Sequence, residues 1–585
     1  MRLSHIEIEN FKGISTKQSI DLAPITLLFG PNSAGKSTIL QALQYMREIL
    51  ERKNLDPDQT IAGGLTDLGG FAALVHDHDL TRPICIKIRI DMKGDQGNER
   101  LPLNSGESLT DPNFQNLGIR YLVGENTELK VDAIVQEIGL SLEVRWSDLI
   151  NAPYVAKVAV EMDKERIAEI HSSSQEGRAQ LTSFNFAHPC LQAIPEQEED
   201  VDQEVVEDLL VINNFLYNEI IADPFSSPLG EEIWELSREM SAISSSSSSD
   251  EDKGEFRIAV VTGLGALPDP EKPLSLDLTE IDLKLLTDWY EEDQERKRRH
   301  GLSSLIDELV LGPVRVVSDY LRSMTYIGPL REIPSRDYKP RLSPDESRWA
   351  QGLAAWDLLY TQPDDSLLEN VNNWMVSEER LKTGYQLEKL QLKQVPTTSA
   401  FHQFFQRGIN EDDLGDLQEL YTKFPTVTEI ALLDINKNIT VSPSDIGVGI
   451  SQMLPVVVAC LMQPKGLVAV EQPELHIHPA IQVGLGDLFI EATQGIQPAI
   501  GADRTLLVET HSEHIMLRLL RRIREKNEES LPPDITGLSP SDVSVVYVEA
   551  TDSGTEFQAL RVDADGEFLD RWPKGFFRER AKELF

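Results

Sequence analysis

A glycine-rich segment with the pattern GxxxxGK[ST] constrains this sequence more than any other feature. It reads Gly30-Pro-Asn-Ser-Ala-Gly-Lys-Ser37 and directly follows an apolar run at Ile25–Phe29. After it, apolar side chains recur at helical spacing, at Ile39, Leu43, Met46 and Leu50. Glycines in such a loop let successive backbone N–H groups turn towards phosphate oxygens at a helix N-terminus. The segment therefore predicts a strand, a phosphate-binding loop and a helix.

The predicted ligand of this loop is ATP with Mg²⁺. Lys36 would reach the terminal phosphates as a point charge, and the Ser37 hydroxyl would bind the Mg²⁺ that bridges them. The residues expected to contact the nucleotide are Gly30, Pro31, Asn32, Ser33, Ala34, Gly35, Lys36, Ser37 and Thr38.

A buried strand that ends in a carboxylate is the expected partner of such a loop, because the carboxylate helps to hold Mg²⁺. Gly466–Glu471 has this form, so Glu471 is the predicted magnesium ligand beside Ser37. A further apolar strand, Thr505–Thr510, leads directly to His511. We expect His511 at the same sheet edge, where its ring could bond the γ-phosphate or the attacking water.

The predicted strands Ile439–Val441, Gly466–Glu471, Thr505–Thr510 and Val543–Ala550 alternate with helical stretches, which is typical of a mostly parallel α/β sheet. The sequence contains no sustained heptad pattern, so a long coiled coil is not expected.

Composition and charge narrow the functional classes. The chain has 585 residues, of which 40% are hydrophobic, and a formal net charge of -42. Such a surface repels phosphate backbones, so broad nonspecific nucleic-acid binding is not expected. Two basic runs are exceptions, Arg296–His300 and Arg518–Lys526, and charge pairing on a solvated helix face is the plainer interpretation of both.

Location is inferred from what the sequence does not contain. Three scattered cysteines, Cys85, Cys190 and Cys460, are typical of reduced thiols in a cytoplasmic protein. The sequence has no apolar run long enough to span a membrane and no export signal, so we expect a cytoplasmic chain without a membrane partner.

Several motifs together resemble a known group of proteins. Glu471–Pro479 (Glu-Gln-Pro-Glu-Leu-His-Ile-His-Pro) and Glu509–His514 (Glu-Thr-His-Ser-Glu-His) resemble the OLD/RecF/SMC-related ABC-type ATPases, in a prokaryotic AAA branch. The opening Ile6–Lys12, the segment Tyr326–Arg331 and the tail Trp572–Phe577 resemble the same branch, whose small C-terminal domain has no known function. The resemblance covers roughly residues 1–90 and 320–585.

This resemblance implies an ABC-type signature loop at Gly447–Gln452. In such enzymes the loop contacts the γ-phosphate held by a second subunit, so that two ATP molecules lie between two head-to-tail subunits. Gly449, Ser451 and Gln452 are the residues expected to make that contact, and glycines that merely begin a helix are the alternative.

The resemblance also implies a split nucleotide-binding domain with a large mixed or helical insertion. Four parts are expected in chain order: 1–165 with the phosphate-binding loop, 166–320 as the insertion, 321–535 with signature, magnesium carboxylate and histidine, and 536–585 as a small C-terminal segment. The insertion contains an acidic stretch, Glu196–Asp208, and six consecutive serines, Ser244–Ser249. We expect the serine run to be a flexible linker.

Two departures from the family pattern affect the chemistry. Many ABC enzymes have a catalytic glutamate directly after the magnesium carboxylate, whereas this chain has Gln472, which can orient water but cannot accept a proton. Glu474 or Glu509 could serve as the base instead, and the sequence leaves the choice open. The glutamine-containing loop that usually follows the first helix is not identifiable.

The leading hypothesis is therefore an ATP-hydrolysing dimeric switch that acts on DNA or on a nuclease or other effector protein in trans. The resemblance places such proteins in DNA repair or phage defence. A nucleotide-sensing scaffold with negligible hydrolysis is the alternative, and a P-loop kinase is a third possibility that leaves His511 unexplained.

Overall fold

The computed structural model describes residues 1–52, 68–92, 120–122, 127–131, 135–173, 179–185, 188, 191–195, 258–262, 265–276, 289–336, 338–342, 347–410, 414–462, 466–494, 504–533 and 535–573. The acidic stretch Glu196–Asp208, the serine run Ser244–Ser249 and the end of the tail motif, Lys574–Phe577, lie outside these residues.

The described residues form twenty-one strands, which are numbered in chain order. They are β1 (Arg2–Glu9), β2 (Gln18–Asp21), β3 (Ile25–Phe29), β4 (Ile84–Asp91), β5 (Arg120–Leu122), β6 (Thr127–Val131), β7 (Glu137–Ser147), β8 (Ala152–Met162), β9 (Glu165–Ser172), β10 (Ala179–Phe184), β11 (Leu191–Pro195), β12 (Ile258–Val261), β13 (Ser275–Leu276), β14 (Thr325–Ile327), β15 (Tyr385–Lys393), β16 (Thr426–Asp434), β17 (Ile439–Val441), β18 (Gly466–Glu471), β19 (Arg504–Glu509), β20 (Val543–Thr551) and β21 (Gly554–Leu560).

The α-helices of the described residues are numbered in the same way. They are α1 (Lys36–Arg52), α2 (Phe71–Leu74), α3 (Trp289–Arg322), α4 (Ser347–Ala350), α5 (Leu353–Thr361), α6 (Ser366–Val376), α7 (Ala400–Arg407), α8 (Leu414–Lys423), α9 (Val448–Met462), α10 (Pro479–Gln494) and α11 (Glu513–Asn527).

A six-stranded sheet with the order β14-β18-β19-β3-β20-β21 forms the centre of the fold. Its neighbouring strands are parallel except for the last pair, β20 and β21. Every residue of β3, β18 and β19 is buried, as expected for parallel strands covered on both faces. The carboxyl ends of these strands lie at one sheet edge, which confirms the predicted parallel arrangement around the phosphate-binding loop.

One predicted strand belongs elsewhere. Ile439–Val441, expected in the parallel sheet, pairs antiparallel with β16 in a separate three-stranded sheet of the order β15-β16-β17. None of its three residues is fully buried. A central parallel strand needs two covered faces, so this short strand does not meet that requirement.

A nine-stranded antiparallel sheet covers one face of the central sheet. Its order is β13-β12-β10-β9-β8-β7-β4-β1-β2. In β4, Ile84, Ile86, Ile88 and Ile90 are buried whereas the intervening residues are partly exposed, so this sheet has one core face.

Two apolar clusters hold these layers together on the two faces of the central sheet. Leu467 and Ala469 of β18 join the first cluster, with side chains of the nine-stranded sheet, α1 and α3. Val468 and Val470 point to the second cluster, formed with α5, α6, α9, α10 and α11. This alternation follows from the two-residue period of a strand.

The expected boundary at 165/166 falls between paired strands, because Met162 of β8 pairs with Glu165 and Glu161 with Arg166 of β9. Strands β9, β10, β12 and β13 then continue the nine-stranded sheet that begins with β1 and β2. The division at 166 thus describes chain order rather than an edge of this sheet, and the four-part organisation stays a proposal.

Candidate active site

The phosphate-binding loop connects β3 to α1 at the centre of the parallel edge. Gly30 lies so close to β20 that a Cβ atom there would be 2.1 Å from the Val548 carbonyl oxygen. Gly35 has a φ of +99°, and a Cβ there would be 2.8 Å from the Thr555 hydroxyl. Pro31, Asn32 and Ser33 are exposed, whereas Ala34 is buried. The two glycines are therefore required by close backbone approach, which is how such loops present their N–H groups.

Lys36 is buried within its own loop. Its Nζ donates hydrogen bonds to the carbonyls of Gly30, at 3.1 Å, and Pro31, at 2.9 Å, and lies 3.8 Å from Glu509 Oε1. Burial lowers the pKa of Lys36, while the charges of Glu509, Glu474 and Glu471 oppose that change. One cation and three carboxylates thus interact at this edge of the sheet.

Two carboxylates meet the loop at the ends of neighbouring strands. Glu471 and Glu509 are direct partners in the parallel register of β18 and β19. The Ser37 hydroxyl donates a 2.6 Å hydrogen bond to Glu509 Oε2, and the Tyr326 hydroxyl donates a 2.8 Å hydrogen bond to Glu471 Oε1. Burial, with the charge of Glu509, raises the pKa of Glu471 to about 7. Both predicted magnesium ligands, Ser37 and Glu471, are thus brought together, and Glu509 joins them.

This set of oxygen atoms fits Mg²⁺, which is usually held by one or two carboxylates, a hydroxyl and the phosphates of the substrate. Among the described residues, no group of three or more His, Cys, Asp or Glu side chains forms a self-sufficient metal site.

Glu474 lies in the loop that follows Glu471 and is hydrogen-bonded to the segment that carries His511. Its carboxylate accepts hydrogen bonds from the His511 backbone N–H, at 2.7 Å, and the Thr510 hydroxyl, at 2.8 Å. Burial raises the pKa of Glu474, whereas these two hydrogen bonds oppose the change. Glu474 thus fixes the segment that carries His511.

Gln472 directly follows Glu471, and His511 lies two residues after Glu509. Gln472 has a φ of +44° and donates its backbone N–H to the Glu509 carbonyl at 2.8 Å. His511 Nε2 is buried and has no hydrogen-bond partner among the described residues. Burial, together with the charge of Lys36, lowers the pKa of His511 and favours a neutral ring. A neutral imidazole can both donate and accept a hydrogen bond.

Arg331 is a buried residue that the sequence analysis did not identify as part of the site. Its Nη2 donates to the carbonyl of Glu471 at 2.6 Å and to that of Gln472 at 3.4 Å. Its Nη1 donates to the Gln452 carbonyl at 3.2 Å. The described partners are thus backbone carbonyls rather than carboxylates. Burial lowers the pKa of Arg331 to about 10.

The signature segment begins helix α9 on an exposed surface. Gly447 and Val448 are exposed, but Ser451 is 0% exposed and its hydroxyl is unpartnered among the described residues. Gln452 is 5% exposed and bonds the backbone of Arg331. A Cβ at Gly449 would be 2.8 Å from the His476 carbonyl oxygen. The side chains of Ser451 and Gln452 therefore face inward, contrary to the expected phosphate contact, whereas Gly447 and Val448 at the start of the helix are exposed.

Two further residues at the site come from opposite ends of the chain. Lys12 is half-buried, and burial lowers its pKa while the charge of Glu471 opposes the change. Thr555 of the hairpin β20–β21 donates its hydroxyl to the Ala34 carbonyl at 3.1 Å and its N–H to the Gly13 carbonyl at 2.7 Å. The C-terminal hairpin thereby supports the phosphate-binding loop.

The basic run on α11 is paired within the chain. Arg518 and Arg522 lie 3.4 and 2.8 Å from Asp487, and Arg521 lies 2.6 Å from Glu525. Arg524 donates to the Asp565 carbonyl, and Lys526 donates to the Ser539 hydroxyl. These contacts agree with charge pairing on a helix face. The other run, Arg296–His300, lies in the N-terminal half of α3, and of residues 289–305 only the backbone is described.

Three family models match parts of the chain. Residues 1–181 match the family described as "AAA ATPase domain", and residues 335–517 match "AAA domain, putative AbiEii toxin, Type IV TA system". Residues 538–585 match "Protein of unknown function (DUF3696)". Two separate parts of the chain thus match models of AAA ATPase domains, and the fold is a mixed α/β fold of the P-loop NTPase class. No curated protein matches the chain at a significant level.

Solved structures similar to the chain include SMC head domains. One is the SMC head bound to the C-winged helix domain of ScpA, with 10% identity, 96% of this chain and 98% of that chain covered, and a TM-score of 0.34. The SMC head domain from Thermotoga maritima shares 9% identity over 96% of this chain and 100% of that chain, with a TM-score of 0.33. A third is the Smc head domain with an extended coiled coil bound to the C-terminal domain of ScpA, derived from Pyrococcus furiosus. It shares 11% identity over 100% of this chain and 98% of that chain, with a TM-score of 0.33.

None of the helices in the described part of the chain combines the length and the apolar character needed to cross a bilayer.

Proposed function

We propose that this chain binds Mg-ATP and hydrolyses it, as an ABC-like AAA ATPase that acts as a head-to-tail dimer. The convergence of Lys36 and Ser37 with Glu471 and Glu509 at one sheet edge carries the proposal. Cation, hydroxyl and paired carboxylates are the groups that phosphoryl transfer from a nucleotide requires.

Ser37 and Glu471 would hold Mg²⁺, with Glu509 beside them. When bound, the ion neutralises negative charge on the phosphate oxygens. The backbone N–H groups of the loop would bind the same phosphates, and Lys36 would move from the carbonyls of Gly30 and Pro31 to the terminal phosphate.

Gln472 and His511 are the residues that would position the attacking water and the γ-phosphate. Both oxygens of Glu474 already accept hydrogen bonds from the segment of His511, so we assign Glu474 to positioning rather than to proton transfer. Glu509 bonds the Ser37 hydroxyl, so we assign it to the magnesium side of the site. With no carboxylate left as a dedicated base, hydrolysis is expected to be slow.

The proposed dimer contact lies at the start of α9. The exposed start of α9 offers free backbone N–H groups of a helix N-terminus, which suit a phosphate held by a second subunit. The family resemblance further suggests a DNA or nuclease partner in trans. It also suggests a role in DNA repair or phage defence. The net charge of -42 favours a protein partner or a local DNA contact over general DNA binding.

A nucleotide-sensing scaffold is the second candidate. Gln472 at the usual position of the base and the engaged carboxylate of Glu474 favour it. In that case ATP would close two subunits without being consumed.

Sedimentation of the purified chain with and without Mg-ATP tests the dimer. We expect ATP to shift the wild-type protein from one subunit to two and to leave Lys36→Ala unchanged. A wild-type protein that binds ATP yet sediments identically in both conditions would contradict the dimeric part of the proposal.

A further inference from the structure

Arg331 joins two parts of the chain that serve different roles in the proposed function, on which this inference rests. One part is the peptide Glu471–Gln472, at the magnesium end of the site in its own subunit. The other is the N-terminal part of α9, Val448–Gln452, whose first turn would contact the nucleotide of a second subunit. Arg331 bonds the carbonyls of Glu471 and Gln452 at 2.6 and 3.2 Å. One guanidinium therefore connects both parts.

Further hydrogen bonds strengthen the connection between Arg331 and α9. The Arg331 backbone N–H donates to Gln452 Oε1 at 3.2 Å, and the Gln452 amide donates back to the Arg331 carbonyl. Across the guanidinium, Gln472 is held in a left-handed conformation with its N–H on the Glu509 carbonyl. A movement of the Glu471–Gln472 peptide thus changes the hydrogen bonds that fix the start of α9.

Close packing and backbone hydrogen bonds restrict the conformations open to Arg331. It is 4% exposed, and a Cβ at Gly352 would lie 2.9 Å from both Arg331 Cβ and Pro455 Cγ of α9. Backbone hydrogen bonds from Gly328 and Glu332 to Ala350 and Gln351 fix the segment that carries it. Packed elements of this kind shift between discrete arrangements rather than deform gradually.

A buried guanidinium on carbonyls is a costly way to stabilise a fold, because an apolar side chain would avoid the desolvation. We propose that Arg331 is a positioning residue that relays occupancy of the magnesium site in its own subunit to the signature turn offered to the partner subunit. Binding of Mg-ATP in one site would thereby prepare the same subunit to complete the other site, which makes the two sites cooperative.

Hydrogen exchange of the full chain tests the relay, with ATPγS and Mg²⁺ added at a protein concentration where sedimentation shows a single subunit. Nucleotide affinity is measured in the same samples. We expect ATPγS to change wild-type exchange at residues 447–453 by at least about fivefold, the lower end of typical couplings. Arg331→Lys and Gln452→Met should each abolish most of this response while nucleotide affinity stays within about threefold.

Arg504→Lys is the matched control, because Arg504 is also buried and bonds a carbonyl of α9, that of Cys460 at its far end. Its exchange response should remain as in wild type. The relay is wrong if Arg331→Lys and Gln452→Met respond like wild type, if Arg504→Lys loses the response equally, or if bound nucleotide leaves wild-type exchange unchanged. A wild-type chain that binds no nucleotide would instead refute the proposed function, and the relay with it.

Discussion

The Ser37 hydroxyl donates a 2.6 Å hydrogen bond to Glu509, although 472 positions separate the two residues in the chain. Strand β3 inserts between β19 and β20, so the first residues of α1 meet the ends of strands from the C-terminal half. The site is therefore assembled from both ends of the chain, and neither the segment 1–165 nor the segment 321–535 holds it alone.

Glu509→Gln should weaken the response to magnesium. The change keeps the size of the side chain but removes the charge beside Ser37, so the Mg²⁺ concentration for half-maximal ATP binding or turnover should rise about 10- to 100-fold. Titration with Mg²⁺ at fixed ATP measures this. Glu528→Gln is the control, because it removes the same charge at an exposed position. Its Mg²⁺ dependence should equal that of wild type. An unchanged Mg²⁺ dependence of Glu509→Gln would show that Glu509 does not assist the metal.

Substitutions of Glu474 separate positioning from base catalysis. Glu474→Gln retains an acceptor for the His511 N–H, so turnover should fall less than about tenfold, whereas Glu474→Ala removes both hydrogen bonds and should cost much more. If Glu474 were the general base, turnover would fall equally in both variants, by about 10²- to 10⁴-fold. Single-turnover ATP hydrolysis distinguishes the two outcomes, and equal losses would mean that Glu474 takes the proton.

Thr555→Val tests the support that the C-terminal hairpin gives to the phosphate-binding loop. Loss of the hydrogen bond to Ala34 should destabilise the fold by about 1 kcal/mol and weaken ATP binding. Thr493→Val removes another buried hydroxyl, which donates to Phe489 in α10, away from the site. It should lower the melting temperature similarly but leave ATP affinity unchanged. Equal ATP affinity in the two variants would argue against the supporting role of Thr555.

The buried carboxyl group of Glu308 in α3 should make the stability of the fold depend on pH, independently of the active site. It is 6% exposed, one carboxylate oxygen has no partner among the described residues, and burial raises the pKa to about 7. Since the folded state then holds its proton more tightly than the unfolded state, this contribution favours folding at low pH. It is lost as pH rises from the unfolded pKa towards the folded one.

Glu308→Gln should therefore become more stable relative to wild type as pH rises from about 5 to 8, by on the order of 1 kcal/mol or more. Urea unfolding of both proteins across this range measures the difference. A difference that is constant with pH would mean that Glu308 titrates normally in the folded protein.

Much of the central sheet was predictable because its signals are local. A run of apolar residues such as that in Gly466–Glu471 predicts a strand that is buried on both faces. The residue pattern of the loop Gly30–Ser37 by itself predicts phosphate binding. Ile439–Val441 was misassigned because three residues cannot reveal which sheet they join. The nine-stranded sheet was only partly visible in the alternation of β1 and β4.

The less predictable site residues are those defined by packing. Tyr326 and Arg331 stand in a noticeable motif, Tyr-Ile-Gly-Pro-Leu-Arg, but nothing local shows that one bonds Glu471 and the other the carbonyl of Glu471. The inward direction of Ser451 and Gln452 likewise depends on how α9 packs. Thr555 had no sequence signal, because its role arises from contact with Gly13 and Gly35.

ATP hydrolysis by the purified chain with Mg²⁺, measured beside Lys36→Ala across a protein concentration series, tests the central claim most directly. We expect slow turnover per subunit that rises with wild-type concentration and vanishes in Lys36→Ala, and a parallel series with double-stranded DNA shows whether DNA stimulates it. ATP binding without turnover at any concentration, with or without DNA, would contradict the ATPase and leave the nucleotide-sensing scaffold.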